Sequence, residues 1–278
     1  MLPGGAFGYY SDDNSHIVEL ATCPIVHPAI LEVLTLFEPD DDTISRLKVQ
    51  VGSDPADVML IIETGDDLPP AIEVDLPVAV NFLLSDNEPV NLIGRSHVVY
   101  EVFDRRFRVT AGGFFQVNLE VAHILVEEVL HRLDLRGGET ILELFSGVGL
   151  LPGFIAPHCD LVVSVESYPP AVTDADENLA DLDNVDLVEG PVEQVLDDLD
   201  GPFDALVLDP PRAGLSKDAL GGVLRLRPPK IIYVSCDPVT LARDCRALVD
   251  DGYHLVEVQP LDMFPQTYHV ECIATLVL

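Results

Sequence analysis

Lysine is scarce in this 278-residue chain. Lys48, Lys217 and Lys230 stand with twelve arginines against 48 acidic residues, a formal net charge of −33. A field of that sign opposes bulk electrostatic binding of nucleic acid and leaves any such recognition to local basic pockets. Arg95, Arg105, Arg106 and Arg108 form one cluster and Arg225, Arg227 and Lys230 another. The five cysteines (Cys23, Cys159, Cys236, Cys245 and Cys272) are odd in number and include no C-x-x-C pair. Free thiols in a reducing, cytoplasmic setting fit that pattern better than a disulfide framework or a zinc site, so no metal is expected. No apolar run approaches the roughly 20 residues that span a bilayer. The first residues also lack the basic-then-apolar order of a secretory signal. With 48% apolar residues, the chain should be globular and membrane-free, with a monomer as the expected state.

Residues 1–112 read as short alternating pieces. Strands are expected over 16–20, 47–51, 58–64 and 78–84, and a helix over 28–37 behind Pro28. Strands 98–103 and 107–110 flank Asp104-Arg105-Arg106 as a hairpin with a charged tip. The acids Asp40-Asp41-Asp42 read as a solvated loop. These elements make a small α+β subdomain with an antiparallel sheet, and residues 113–278 make a second domain. There a helix over 116–133 precedes regular alternation: strands at 140–145, 161–165, 185–188, 205–208 and 231–235, with helices between them. Such alternation means a doubly wound, mostly parallel α/β sheet. The last two strands, 253–260 and 270–277, have no helix between them, so the last is expected to insert antiparallel.

Candidate chemistry gathers at the carboxyl ends of these strands, where open α/β sheets bind ligands. The first ends ILELFSGVG, and Gly147 and Gly149 permit a tight turn and close backbone approach to a ligand. The second ends in Glu166, placed to grip ribose hydroxyls of an adenosine-type cofactor; a solvated strand-end acid is the plainer reading. In Asp209-Pro210-Pro211-Arg212 two prolines fix an extended backbone that can hold a carboxylate and a guanidinium over the sheet edge. The segment VSCDP puts Cys236 at a strand end beside a helix N-terminus, which favours thiolate. Taken alone, Cys236 is most simply a small buried thiol. His269 reads as a polar loop residue. Glu271 lies in an apolar strand, where a carboxylate is costly unless paired or used.

The set FFQVN (114–118), LFSGVG, DPPRAG, VSCDP-x-TLARD and DMFPQTYHVE resembles the RNA 5-methyluridine (uracil-C5) methyltransferases, which depend on S-adenosylmethionine. The likeness runs from about Gly8 to the C-terminus. It implies a class I methyltransferase fold, a seven-stranded sheet with an antiparallel last strand, beside the N-terminal α+β subdomain. It also implies methylation of uridine C5 in a tRNA or rRNA, with Cys236 as nucleophile and Glu271 as base. By the same likeness Gln116, Phe145, Glu166 and Asp209 hold the cofactor, beside Gly147 and Gly149 of the glycine turn. Arg212, Arg105 and Arg106 are the expected substrate contacts, and residues 1–112 the RNA-contacting part. Larger relatives carry an N-terminal oligonucleotide-binding barrel, and some a four-cysteine iron–sulfur site. Cys23-Pro24 resembles the end of that site with no companion cysteine nearby, so no cluster is expected, and the chain reads either as a short form without the barrel or as one whose true start lies upstream. Asp237, next to Cys236, is expected to raise the thiol pKa, so that thiolate forms mainly with substrate bound. Two other readings stay open: a methyltransferase of a non-RNA substrate, which the charge favours, and a non-catalytic cofactor- or RNA-binding member.

Overall fold

The computed structural model describes residues 8–11, 16–19, 22–36, 43–70 and 72–278. Leu20, Phe37 and the acidic loop 40–42, named in the sequence readings, lie outside them. The chain divides into two compact units, residues 1–100 with 109–112 and residues 101–108 with 113–278.

The first unit holds β1 (Gly8–Tyr10), β2 (Ile17–Glu19), α1 (Pro28–Leu36), β3 (Ile44–Val51), β4 (Val58–Thr64), β5 (Ala79–Leu83) and β6 (Pro89–Ile93). Strands β3 to β6 form a four-stranded sheet in chain order. It is mixed where an antiparallel sheet was expected, because β4 and β5 run parallel. VMLII in β4 is buried on both faces, which is why it reads as a continuous apolar run instead of an alternating one. Strand β6 escaped the sequence reading: Pro89 opens it and its side chains are half or fully exposed, as an edge strand allows.

Strands β7 (His97–Val102) and β8 (Arg105–Thr110) pair as a hairpin turning at Phe103-Asp104. The expected charged tip is thereby corrected. Arg105 and Arg106 are not turn residues but the first residues of β8, since Phe103 adopts the left-handed conformation the tight turn needs.

In the second unit α2 spans Leu119–Leu133, starting later than the apolar stripe suggests. The Asn118 side chain accepts the Val121 N–H and caps the helix there. There follow β9 (Thr140–Leu144), α3 (Leu150–Ile155), β10 (Leu161–Glu166), α4 (Pro169–Asn178), β11 (Val185–Glu189), α5 (Val192–Asp198) and β12 (Ala205–Leu208). Then come α6 (Lys217–Leu226), β13 (Lys230–Ser235), α7 (Pro238–Asp250), β14 (His254–Leu261) and β15 (Glu271–Val277). The strands form one seven-stranded sheet in the order β11-β10-β9-β12-β13-β15-β14. Strands β9 to β13 pair in parallel, and β15 is inserted antiparallel between β13 and β14. One face packs Leu142, Leu144, Leu206, Leu208, Ile231 and Tyr233 against Leu196, Val223, Leu241 and Leu248 of α5, α6 and α7. The strand order reverses between β9 and β12, and the crevice outside the carboxyl ends at such a switch point is where sheets of this kind bind ligands.

Candidate active site

Register brings the nucleophile candidate to the base candidate. In the antiparallel pair, Val234 faces Ile273 and Ser235 faces Cys272. Continued one residue past the end of β13, that register brings Cys236 toward Glu271, near enough for the carboxylate to act on the thiol. Burial and the nearby Glu271 push the Cys236 thiol up, Asp209 adds to this, and the Arg212 guanidinium against the sulfur opposes it. Glu271 is 3% exposed, and burial first, then Asp209, raises its carboxyl to about 8. Its Oε1 has no hydrogen-bond partner. Burial is thus the first cause raising both the carboxyl and the half-buried thiol beside it.

The role expected of Asp237 is corrected here. Its carboxylate is turned into the start of α7, where Oδ1 accepts from the Val239 N–H at 2.8 Å and the Thr240 N–H at 3.1 Å. Those amides hold its own carboxyl below the usual range. The thiol is raised as expected, but by burial and Glu271, because an N-cap carboxylate faces the helix and not the preceding side chain.

Arg212 bridges the site to the β14–β15 loop. Its Nη2 is 3.0 Å from both ring nitrogens of His269, so the guanidinium lies against the imidazole. His269 packs against Tyr268 with ring centroids 4.2 Å apart, and against Phe264 at 5.9 Å. It is more than the plain loop residue its sequence context suggests.

The second half of the crevice is built on the β9–α3 turn. Phe145, Gly147 and Gly149 all have positive φ, and the turn places backbone N–H groups at the sheet edge. A Cβ on Gly147 would meet open space, whereas one on Gly149 would lie 2.8 Å from Leu179 Cδ1. Gly147 thus borders the crevice and Gly149 permits close packing. The Glu166 carboxylate accepts from the N–H groups of Gly147 (2.8 Å), Ser167 (2.7 Å) and Tyr168 (2.8 Å). Across the turn the buried Gln116 donates its amide to Asp209 Oδ2 at 3.4 Å. Burial alone raises Asp209 to about 7.

Arg105 and Arg106 are not brought to this site. The Arg105 guanidinium is committed to Asp181 at 2.7 and 2.9 Å and to the Asn178 carbonyl at 3.0 Å. Arg106 pairs with Glu101 at 3.3 Å within the hairpin. With Arg108 bonded to the buried Asp174 at 2.7 Å, Arg105 and Arg108 fasten the hairpin to α4 and to the turn that follows it.

Two polar residues of the site had been passed over. Glu143 on β9 is 2% exposed, and burial, with Asp209 and Glu166 nearby, raises its carboxyl well above the usual range. Its Oε2 has no partner. The signal existed, since Glu143 is a carboxylate in an apolar strand just as Glu271 is. Asn178 donates to the Val148 carbonyl at 2.9 Å and the Arg108 carbonyl at 3.1 Å, locking the glycine turn to α4. No pattern in the sequence pointed to it.

A doubly wound sheet with an antiparallel strand beside β13, a glycine turn after β9 and an acid ending β10 define an α/β fold of the methyltransferase class. Comparison with known proteins gives the family. The model of the tRNA (uracil-5-)-methyltransferase family matches residues 94–277, and the chain belongs to that family. It is 32% identical to an uncharacterized RNA methyltransferase of Caldanaerobacter subterraneus over 96% of this chain and 67% of that one. A namesake in Streptomyces avermitilis is 37% identical over 95% of this chain and 62% of its own length. Several relatives are thus matched over two thirds of their length or less. Among solved structures, the tRNA (uracil-54, C5)-methyltransferase of Pyrococcus abyssi in complex with S-adenosyl-L-homocysteine superposes with a TM-score of 0.73. The match has 27% identity and covers 94% of this chain and 70% of that one.

Proposed function

We propose that this protein transfers a methyl group from S-adenosylmethionine to C5 of a uridine in RNA, through a covalent adduct on Cys236. The observation that carries the reading is the β13–β15 register, which brings a strand-end thiol toward a buried carboxyl lacking a partner for Oε1.

The crevice suits the cofactor. Gly147 borders open space, and Glu166, anchored by backbone amides, keeps lone pairs for ribose hydroxyls. Gln116 and Asp209 form a buried polar pair beside Phe145, and the unpartnered Glu143 Oε2 adds an acceptor. When bound, S-adenosylmethionine would supply an electrophilic methyl group on a sulfonium, for uracil C5 to take once it has been made nucleophilic, with the thioether S-adenosylhomocysteine leaving.

The residues of this chain do the rest. Cys236, its proton released to solvent, adds as thiolate to uracil C6, forming a C–S bond and moving the C5–C6 π pair into an enolate across C5, C4 and O4. Arg212, against the sulfur, favours thiolate and offers donors to developing negative charge. After C5 is methylated, Glu271 takes the C5 proton, the double bond re-forms and thiolate leaves. Glu271 must be ionised for this step, and a carboxyl raised to about 8 is a strong base once its proton is gone. A uridine in folded RNA reaches the thiol only by leaving its stack, at a cost of about a few kcal/mol. Tyr268, 83% exposed beside His269, offers a face for a base to stack on. RNA contacts by residues 1–112 belong to the same proposal.

Trapping tests the reading. With cofactor present, RNA carrying 5-fluorouridine should form a stable adduct, because fluorine at C5 cannot leave as a proton. Cys236→Ala should form none. Absence of adduct with wild type across tRNA and rRNA would overturn the proposal. The charge of −33 favours one competing reading, a substrate that is not a polyanion. Methylation of a free nucleoside or small heterocycle, with none of RNA, would establish it.

A further inference from the structure

The residues from Thr240 to Asp244 of α7 serve no purpose in the chemistry above, yet they form a connected polar network near the site. Asp244 is 2% exposed. Its Oδ2 accepts from the Leu215 N–H at 2.8 Å and the Tyr233 hydroxyl at 2.7 Å, and its Oδ1 from Arg243 Nε at 2.8 Å. Arg243 Nη2 then donates to the carbonyls of Ala213 (2.9 Å) and Leu215 (3.0 Å). The Thr240 hydroxyl lies 3.0 Å from the Arg212 carbonyl and 3.2 Å from the Asp237 carbonyl, the former being the shorter donation. Apart from the Asp237 carbonyl, every backbone group so held belongs to residues 212–215, the loop that presents the Arg212 side chain. Gly214 completes the fit: its φ is +71, and a Cβ there would lie 2.5 Å from Asp244 Oδ2 and 2.7 Å from Arg243 Nη2.

We infer that Thr240, Arg243 and Asp244 are positioning residues: a latch on α7 that holds the 212–215 loop so that the Arg212 guanidinium stays against the Cys236 sulfur. The physical reason is geometric. Arginine carries a long, entropically costly side chain, and its charge helps a thiolate only while it is kept close. The helix bearing the latch starts one residue after Cys236, at the Asp237 cap. Nucleophile and guanidinium are therefore referred to one rigid element. The groups facing the sulfur are Glu271 of β15, Asp209 after β12 and Arg212. Of these only Arg212 favours the thiolate, so loosening the latch should make Cys236 less reactive. The catalytic weight of this rests on the proposed role of Cys236, but the latch itself can be tested without RNA or cofactor.

The experiment is the pH profile of iodoacetamide alkylation at Cys236 in the full chain, followed by mass spectrometry of its peptide. Arg243→Ala should slow alkylation at pH 8 by about threefold to tenfold and move the profile to higher pH, as expected for partial loss of a charge-assisted contact. Arg212→Ala should act in the same direction, and the double variant should lie no further than Arg212→Ala alone. Thr240→Val, which keeps the buried Asp244 network intact, should give a smaller shift of the same sign, and it decides the matter if Arg243→Ala does not fold. A wild-type profile in Thr240→Val and in folded Arg243→Ala would overturn the latch, as would independent addition of the two shifts in the double variant. An RNA-trapping failure would overturn the proposed function and leave this result standing.

Discussion

Replacing Glu271 with glutamine should stabilise the protein, and by an amount that grows with pH. Glutamine copies the shape and neutrality of a protonated carboxyl, so the variant removes only the cost of ionising the group. The carboxyl is 3% exposed and is raised from 4.5 to about 8. At about 1.4 kcal/mol per pKa unit, that displacement caps the effect near 5 kcal/mol. Between those two values the folded chain keeps a proton that the unfolded chain has released, so wild-type stability falls as pH rises. Integrating the titration gives a cost of about 1 kcal/mol at pH 5 and about 4 kcal/mol at pH 8, a difference of about 3 kcal/mol. Asp209, raised to about 7, titrates in the same window and contributes to the same slope in both proteins. The assay is urea unfolding of wild type and Glu271→Gln at pH 5, 6, 7 and 8, with thermal midpoints as a second measure. At about 2–4 °C per kcal/mol for a unit of this size, the midpoints should separate by about 6–12 °C on going from pH 5 to pH 8. Parallel stability–pH curves would refute the reasoning, because they would mean that Glu271 is ionised at an ordinary pKa and is solvated or paired in solution. The variant should also lose turnover while retaining the capacity to form the Cys236 adduct with unmodified RNA.

Asp209→Asn removes the second cause of the Glu271 displacement, so the Glu271 carboxyl should titrate at lower pH, observable by NMR of a selectively labelled glutamate. Asp237→Ala removes the acceptor for two amides at the start of α7 and should cost about 1 kcal/mol, measured by urea unfolding. If Asp237 instead acted mainly on the thiol, the Cys236 alkylation profile would shift to lower pH with stability unchanged. Gly149→Ala puts a methyl group 2.8 Å from Leu179 Cδ1 at a positive φ. It should weaken binding of S-adenosylhomocysteine at least tenfold by calorimetry, and an unchanged affinity would show that the turn does not form the cofactor wall.

What the sequence determined by itself was the order and kind of elements in residues 113–278. Strand and helix are set by local hydrophobic period, and β12 and α6 fell where their apolar runs lie. The chain also displayed its chemistry in short motifs, because Cys236, Asp209 and Gly147 sit at strand ends where a few neighbouring residues settle the backbone. The partner of each polar side chain could be decided only in three dimensions. Arg105 finds Asp181 from 76 residues away and Gln116 finds Asp209 from 93, distances over which no local pattern reports. Glu143 and Glu271 carry the same sequence signal, a carboxylate in an apolar strand, yet only the β13–β15 register brings one of them toward the thiol. Asp237 is the sharpest case, since its sequence neighbour is Cys236 and its physical neighbours are the amides of α7. Adjacency along a chain fixes Cα positions about 3.8 Å apart, but the direction of a side chain follows from φ and ψ. Those dihedrals at the start of α7 turn the carboxylate of Asp237 away from the sulfur and into the helix.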